Sequence, residues 1–108
     1  MERLHLSAGT HGERHAVTSQ LLDVLGRIGA VEDTHQHSNK EMSIEFSIGA
    51  DRAATLLLEL GRLPLRLSDS SVAALTALPD GQTAAGWFVL TFVHREPDLR
   101  ITAPAVPG

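Results

Sequence analysis

Glu41-Met42-Ser43-Ile44-Glu45-Phe46-Ser47-Ile48-Gly49 is the stretch on which the fold turns. Met42, Ile44, Phe46 and Ile48 alternate with Ser43, Glu45 and Ser47. A strand points successive side chains to opposite faces, so strict alternation marks one covered face and one polar face. The spacing predicts a strand in the middle of a sheet, with a core on one side only.

Upstream, Ser38-Asn39-Lys40 has turn chemistry. Before it, Ala30 to His37 reads as a strand whose residues are mostly polar, as suits a sheet edge that must resist pairing with other chains. Further back, Val17, Leu21, Leu25 and Ile28 form an apolar stripe at helical spacing, widened by Leu22 and Val24. Thr10 with Glu13 three residues later matches a capping box, and Gly29 suits a left-handed terminator, so a helix is expected over 11–28. Leu4, Leu6 and Ala8 alternate with His5 and Ser7, which predicts a half-buried first strand.

Downstream, Gly49-Ala50-Asp51 opens a second helix with Ala53, Leu56, Leu57 and Leu60 on its buried side. Gly61 ends it and Pro64 blocks continuation. Leu63, Leu65 and Leu67 alternate as a short strand at an edge. The stretch 69–78 fits a helix capped by Asp69 or Ser70 and also fits a strand, with the helix preferred. Pro79-Asp80-Gly81-Gln82 is a turn. The run from Gly86 to His94 is apolar on both parities, which predicts a strand buried on both faces, extending the sheet or meeting a second subunit. Leu99 to Thr102 suits a last short strand.

The order strand, helix, strand, strand, helix, strand is that of an α+β, ferredoxin-like βαββαβ sandwich. An antiparallel sheet is expected, with two principal helices on one face and a C-terminal strand extension. The 108 residues suffice for one domain, read here as 1–103 with an extended tail over 104–108.

Composition excludes several functions. The chain has no cysteine, so disulfides, zinc–thiolate sites, iron–sulfur clusters and thiol nucleophiles are ruled out. That absence fits a cytoplasmic location, as does a first segment, Met1-Glu2-Arg3-Leu4-His5, that does not resemble a signal peptide. The longest apolar run, Ala84 to Val93, is too short to span a membrane as a helix. The net charge of −4 and the scarcity of aromatics argue against nucleic acid as a partner. Six histidines would bring that charge to +2 if all were protonated.

Three constellations carry chemistry. Gly9-Thr10-His11-Gly12 joins the first strand to the first helix, where flexible backbone and free N–H groups suit a small anionic ligand. The loop matches neither a P-loop nor a Gly-x-Gly-x-x-Gly fingerprint, so no cofactor is named. Two histidine pairs have metal-ligand spacing: His11 and His15 four apart on a helix face, and His35 and His37 two apart on a strand face. Asp33 shares the parity of His35, and the two are placed to interact. No Gly-x-Ser-x-Gly elbow is present.

From Leu4 to Leu67 the chain resembles the ACT-like branch of small ligand-sensing domains. The resemblance is carried by the strand ending Leu6-Ser7-Ala8, the glycine-bearing loop, the phrase Leu21-Leu22-Asp23-Val24-Leu25-Gly26-Arg27-Ile28-Gly29-Ala30 and the polar-then-apolar strand pair after it. It implies ligand binding at the loop containing Gly9 and Gly12, often between subunits. The function expected is therefore a small, non-enzymatic, ligand-binding or regulatory domain that self-associates as a homodimer. The alternatives are a histidine-based transition-metal-binding protein and a small cofactor-free enzyme with His35 or His94 as base.

Overall fold

A computed structural model describes residues 3–93. The chain runs β1 (Arg3–Thr10), α1 (Arg14–Ile28), β2 (Ala30–Gln36), β3 (Glu41–Gly49), a 3-10 turn (Ala50–Arg52), α2 (Ala53–Leu60), β4 (Arg66–Leu67), α3 (Asp69–Thr76) and β5 (Thr83–Phe92). This is the ferredoxin-like order with a C-terminal extension of one helix and one strand. The strand expected over 99–102, the tail and the boundary at 103 lie outside the described residues, as does His94.

The sheet order is β2-β3-β5-β1-β4. The expected antiparallel pairing holds at every neighbour except β1–β5, which is parallel. The C-terminal strand therefore inserts into the middle of the sheet, between β1 and β3. Residues Phe88, Leu90 and Phe92 join Ile44 and Phe46 of β3 and Leu4 and Leu6 of β1 on one buried face. Val17, Leu21, Val24, Leu25 and Ile28 of α1, Ala53, Leu56 and Leu60 of α2, and Leu75 of α3 close the core over that face. The other parity of β5, Ala85, Trp87 and Val89, is only half-buried. Burial on both faces, expected from the apolar run, is thus reached on one face only, because the helices pack on one side of the sheet.

The strand at each margin is managed differently. β2 is an edge strand, as its polar sequence predicts. On the other side β4 covers only Ala8 and Gly9 of β1. α3 takes over where β4 ends: the Ser7 N–H donates to Ser71 Oγ at 2.7 Å, and the Ser68 N–H donates to the Ser7 carbonyl at 2.9 Å. Ser71 is fully buried yet bonded, which removes the penalty of an unpaired strand edge. Ser68, rather than Asp69 or Ser70, caps α3.

The start of α1 also differs from expectation. Glu13 is itself the cap, accepting from His15 N–H at 3.0 Å and Ala16 N–H at 2.9 Å, so the helix begins at Arg14 rather than near His11. Thr10 is drawn away from capping, because its buried hydroxyl donates to the Pro64 carbonyl and accepts from Gly12 N–H. At the other end, Gly29 has φ −132°, outside the left-handed region. Glycine is needed there because a Cβ would lie 2.2 Å from the Ser47 carbonyl oxygen. Arg27 bridges the helices, with Nε 2.9 Å from Asp23 and a terminal nitrogen 3.7 Å from Glu59 of α2.

Gly86 of β5 faces Leu4 of β1. A Cβ there would stand 2.1 Å from the Leu4 carbonyl oxygen and 2.7 Å from its carbonyl carbon, neither of which can move aside without shifting the strand. Gly86→Ala is therefore expected to destabilise the fold by about 1–3 kcal/mol. Gly26→Ala meets nothing within 4 Å in the interior of α1 and is expected to stabilise it by about 0.4–1 kcal/mol. Urea unfolding of the two variants beside the wild type measures both, and equal midpoints for all three would contradict the strand contact.

The N–H groups of His15 and then Ala16 hold the Glu13 carboxyl below the usual carboxylate range. A lowered folded-state value means that the unfolded chain binds the proton more tightly. The cap's contribution is accordingly complete above the ordinary carboxylate range and disappears as pH falls through the lowered value. Glu13→Ala should lower the melting temperature at neutral pH, and the gap from wild type should close in acid. Circular dichroism melts across pH test this; a gap independent of pH would show that the carboxylate charge does not act at the cap.

Candidate metal centre

The open face of the sheet is built by the second parity of each strand. The turn at Ser38–Lys40 closes the β2–β3 hairpin, with His37 N–H donating to the Glu41 carbonyl. Counting back from it pairs Gln36 with Met42, His35 with Ser43, Thr34 with Ile44 and Asp33 with Glu45. The register then slips by one residue at Glu32, so that Val31 pairs with Phe46. This β-bulge lets Val31 pack against the core while Asp33 and His35 stay on the open face. Glu32, the extra residue, reaches Ser47 Oγ at 3.4 Å.

Asp33, His35 and Glu45 converge on this face. His35 Nε2 lies 3.3 Å from Asp33 Oδ2 and 3.2 Å from Glu45 Oε2, and the three donor atoms lie within 4.8 Å of one another. Donors around a tetrahedral divalent ion at about 2.0–2.2 Å stand roughly 3.3–3.6 Å apart, so these distances already approach a ligand set. Both carboxylates therefore face the same ring nitrogen, Nε2. Asp33 is oriented by its own backbone neighbour, its Oδ1 accepting from Thr34 N–H at 2.8 Å. The imidazole is bracketed by two rings: His37 stacks at 6.4 Å and Trp87 of β5 tilts over it at 6.2 Å.

The other candidate residues lie elsewhere. His37 is directed to Ser43, its Nε2 2.8 Å from the hydroxyl, and stands beside the triad rather than in it. His11 is in the loop before α1, so it does not share a helix face with His15. His15 lines an open groove with Arg14, Thr18, Ser19 and Gln36, between the start of α1 and β2. Gly9 belongs to β1; Thr10 is buried and its hydroxyl is spent on Pro64 and Gly12; His11 and Gly12 are exposed. The Thr10 hydroxyl and Gly12 N–H are thus used within the chain, and the Glu13 carboxylate accepts from the His15 and Ala16 N–H groups at the helix start.

Among the described residues, Asp33, His35 and Glu45 form one group of three side chains able to share an ion, and no second such group occurs. Glu45 is the member that sequence reasoning missed. The signal was present in the turn: a hairpin closed around residues 38–40 sets Asp33 opposite Glu45. No helix among the described residues is long and apolar enough to cross a membrane. The architecture is compatible with a ferredoxin-like or ACT-like small domain, and no protein-family model, curated protein or solved structure matches the chain.

Proposed function

We propose that this is a small non-enzymatic domain that binds a divalent transition-metal ion through Asp33, His35 and Glu45. The observation that carries this reading is the convergence of one imidazole and two carboxylates from adjacent strands at distances near those of a ligand set. One nitrogen and two oxygens suit borderline ions such as zinc, nickel and copper(II), with copper(II) the tightest by the general order of affinities. The chain supplies three ligands. The His35 side chain is 44% exposed, which gives an ion direct access. A metal takes only the unprotonated imidazole nitrogen, so binding weakens in acid.

Isothermal titration with zinc, nickel and copper(II) salts tests the assignment. One equivalent is expected to bind the wild type, with affinity reduced at least about tenfold in His35→Ala and in Asp33→Asn/Glu45→Gln. His11→Ala/His15→Ala should behave as wild type. Copper(II) should quench Trp87, whose ring lies 6.2 Å from that of His35. Equal affinity in His35→Ala and the wild type would remove the proposal.

A second reading, a small-molecule ligand, is supported by the open groove lined by Arg14, His15, Thr18, Ser19 and Gln36, which lies beyond Gly9, Thr10, His11 and Gly12 in the chain and includes none of them. It predicts a ligand-dependent rise in melting temperature within a panel of amino acids, nucleotides and organic acids.

A further inference from the structure

From the open sheet face we infer that two copies of this chain stack face to face, about a two-fold axis running along β5. The face is divided by charge. β5 is the middle strand of five and carries the half-buried apolar strip Ala85, Trp87 and Val89. On one side of it, β1 and β4 present Arg3, His5 and Arg66. On the other side, β2 and β3 present Glu32, Asp33, Glu41 and Glu45, together with the imidazoles of His35 and His37. Arg3 lies over Trp87, its guanidinium carbon 5.8 Å from the ring centroid, and neither Arg3 nor Arg66 forms an ion pair among the described residues.

This arrangement is self-complementary. A two-fold axis parallel to the strands, lying between stacked sheets, exchanges the two sides and leaves the middle strand over itself. It lays the β2–β3 half of each copy over the β1–β4 half of the other and brings the two Trp87 strips together. An isologous contact requires one patch to complement itself in this way. At matching register, His5 and Glu45 both flank Trp87, so the operation sets His5 of each copy across from Glu45 of the other. Four strands of about eight residues offer roughly 500 Å² of planar face. Side-chain relief brings that towards the usual contribution of one partner to a stable complex, about 800 Å². Sheets packed face to face with strands nearly aligned are a stable arrangement.

The test uses the full chain with a chelator present, so that its outcome is independent of the metal assignment. Sedimentation equilibrium should show a dimer for the wild type, weakening as salt rises. Arg3→Glu/Arg66→Glu and Glu41→Lys/Glu45→Lys should each weaken dimerisation by more than about tenfold, because like charges then face each other. An equimolar mixture of the two variants should restore it, since the altered halves complement one another. Trp87 is the only tryptophan, so wild-type emission should shift to the red as dilution dissociates the dimer and wets the ring. That measurement needs no variant to fold. A monomeric wild type at hundreds of micromolar, dimers unaffected by charge reversal, a mixture that fails to restore association, or emission that ignores dissociation would each overturn the inference.

Discussion

The pairing of β5 between β1 and β3 is the constraint on which the rest of the structure depends. Without it, β1 and β3 have no common neighbour and the sheet separates into the β2–β3 hairpin and the β1–β4 pair. Insertion is possible because Gly86 allows the β5 backbone to press against Leu4. It also aligns Phe88 and Leu90 with Ile44 and Met42 on one side and Leu6 and Ala8 on the other, so the buried parities of three strands coincide. The helices then need to cover one face only. Apart from Thr10, which is buried and bonded to Pro64 and Gly12, the polar residues of these strands are sorted to the opposite face by the same registers.

Local patterns were readable in the sequence, and non-local pairings were not. The alternation at Met42–Ile48 and the leucine stripe from Val17 to Ile28 each record which side of an element meets the core, and both match the buried set. The polar run at Ala30–Gln36 correctly marked an edge. The place of β5 was hidden, because the order of elements along a chain does not say which strands become neighbours. Its two-sided apolarity has a different origin from the one expected. Phe88 and Leu90 are core, whereas Trp87 and Val89 form a strip on a face without helices. At helix ends, tertiary contacts overrode local chemistry. Thr10 has a capping hydroxyl but gives it to Pro64, and Gly29 is a glycine because Ser47 passes close by, whatever its dihedral freedom.

The candidate site was half legible for the same reason. Asp33, His35 and His37 share parity on one strand, which sequence alone shows. Glu45 enters through the hairpin register, a pairing relation that a single-strand reading leaves out. Trp87 enters through the insertion of β5, which no local pattern encodes. The main expectation, a ligand at Gly9–Gly12, rests on two glycines and a helix start, which are visible without any knowledge of their neighbours. Pro64 and Val17 are the neighbours that matter: the first takes the Thr10 hydroxyl, and the second would stand 2.6 Å from a Cβ on Gly12.

The bulge at Glu32 reconciles the demands of the core with those of the open face. Strict alternation through β2 would place Val31 on the same side as Asp33 and His35, in water. Shifting the register at Glu32 turns Val31 inward against Phe46, and the hairpin turn meanwhile keeps Asp33 opposite Glu45. Two requirements that conflict on a regular strand are met by one inserted residue, at an edge where no further neighbour is disturbed. Asp33 and Glu45 consequently stand together on the open face, with Glu32 bonded beside them to Ser47. A strand edge shaped only to resist aggregation would need charge of either sign spread along it. Two carboxylates closing on one imidazole nitrogen are a more specific arrangement, and it lies on the side of the sheet where the core makes no demand on which residues stand there.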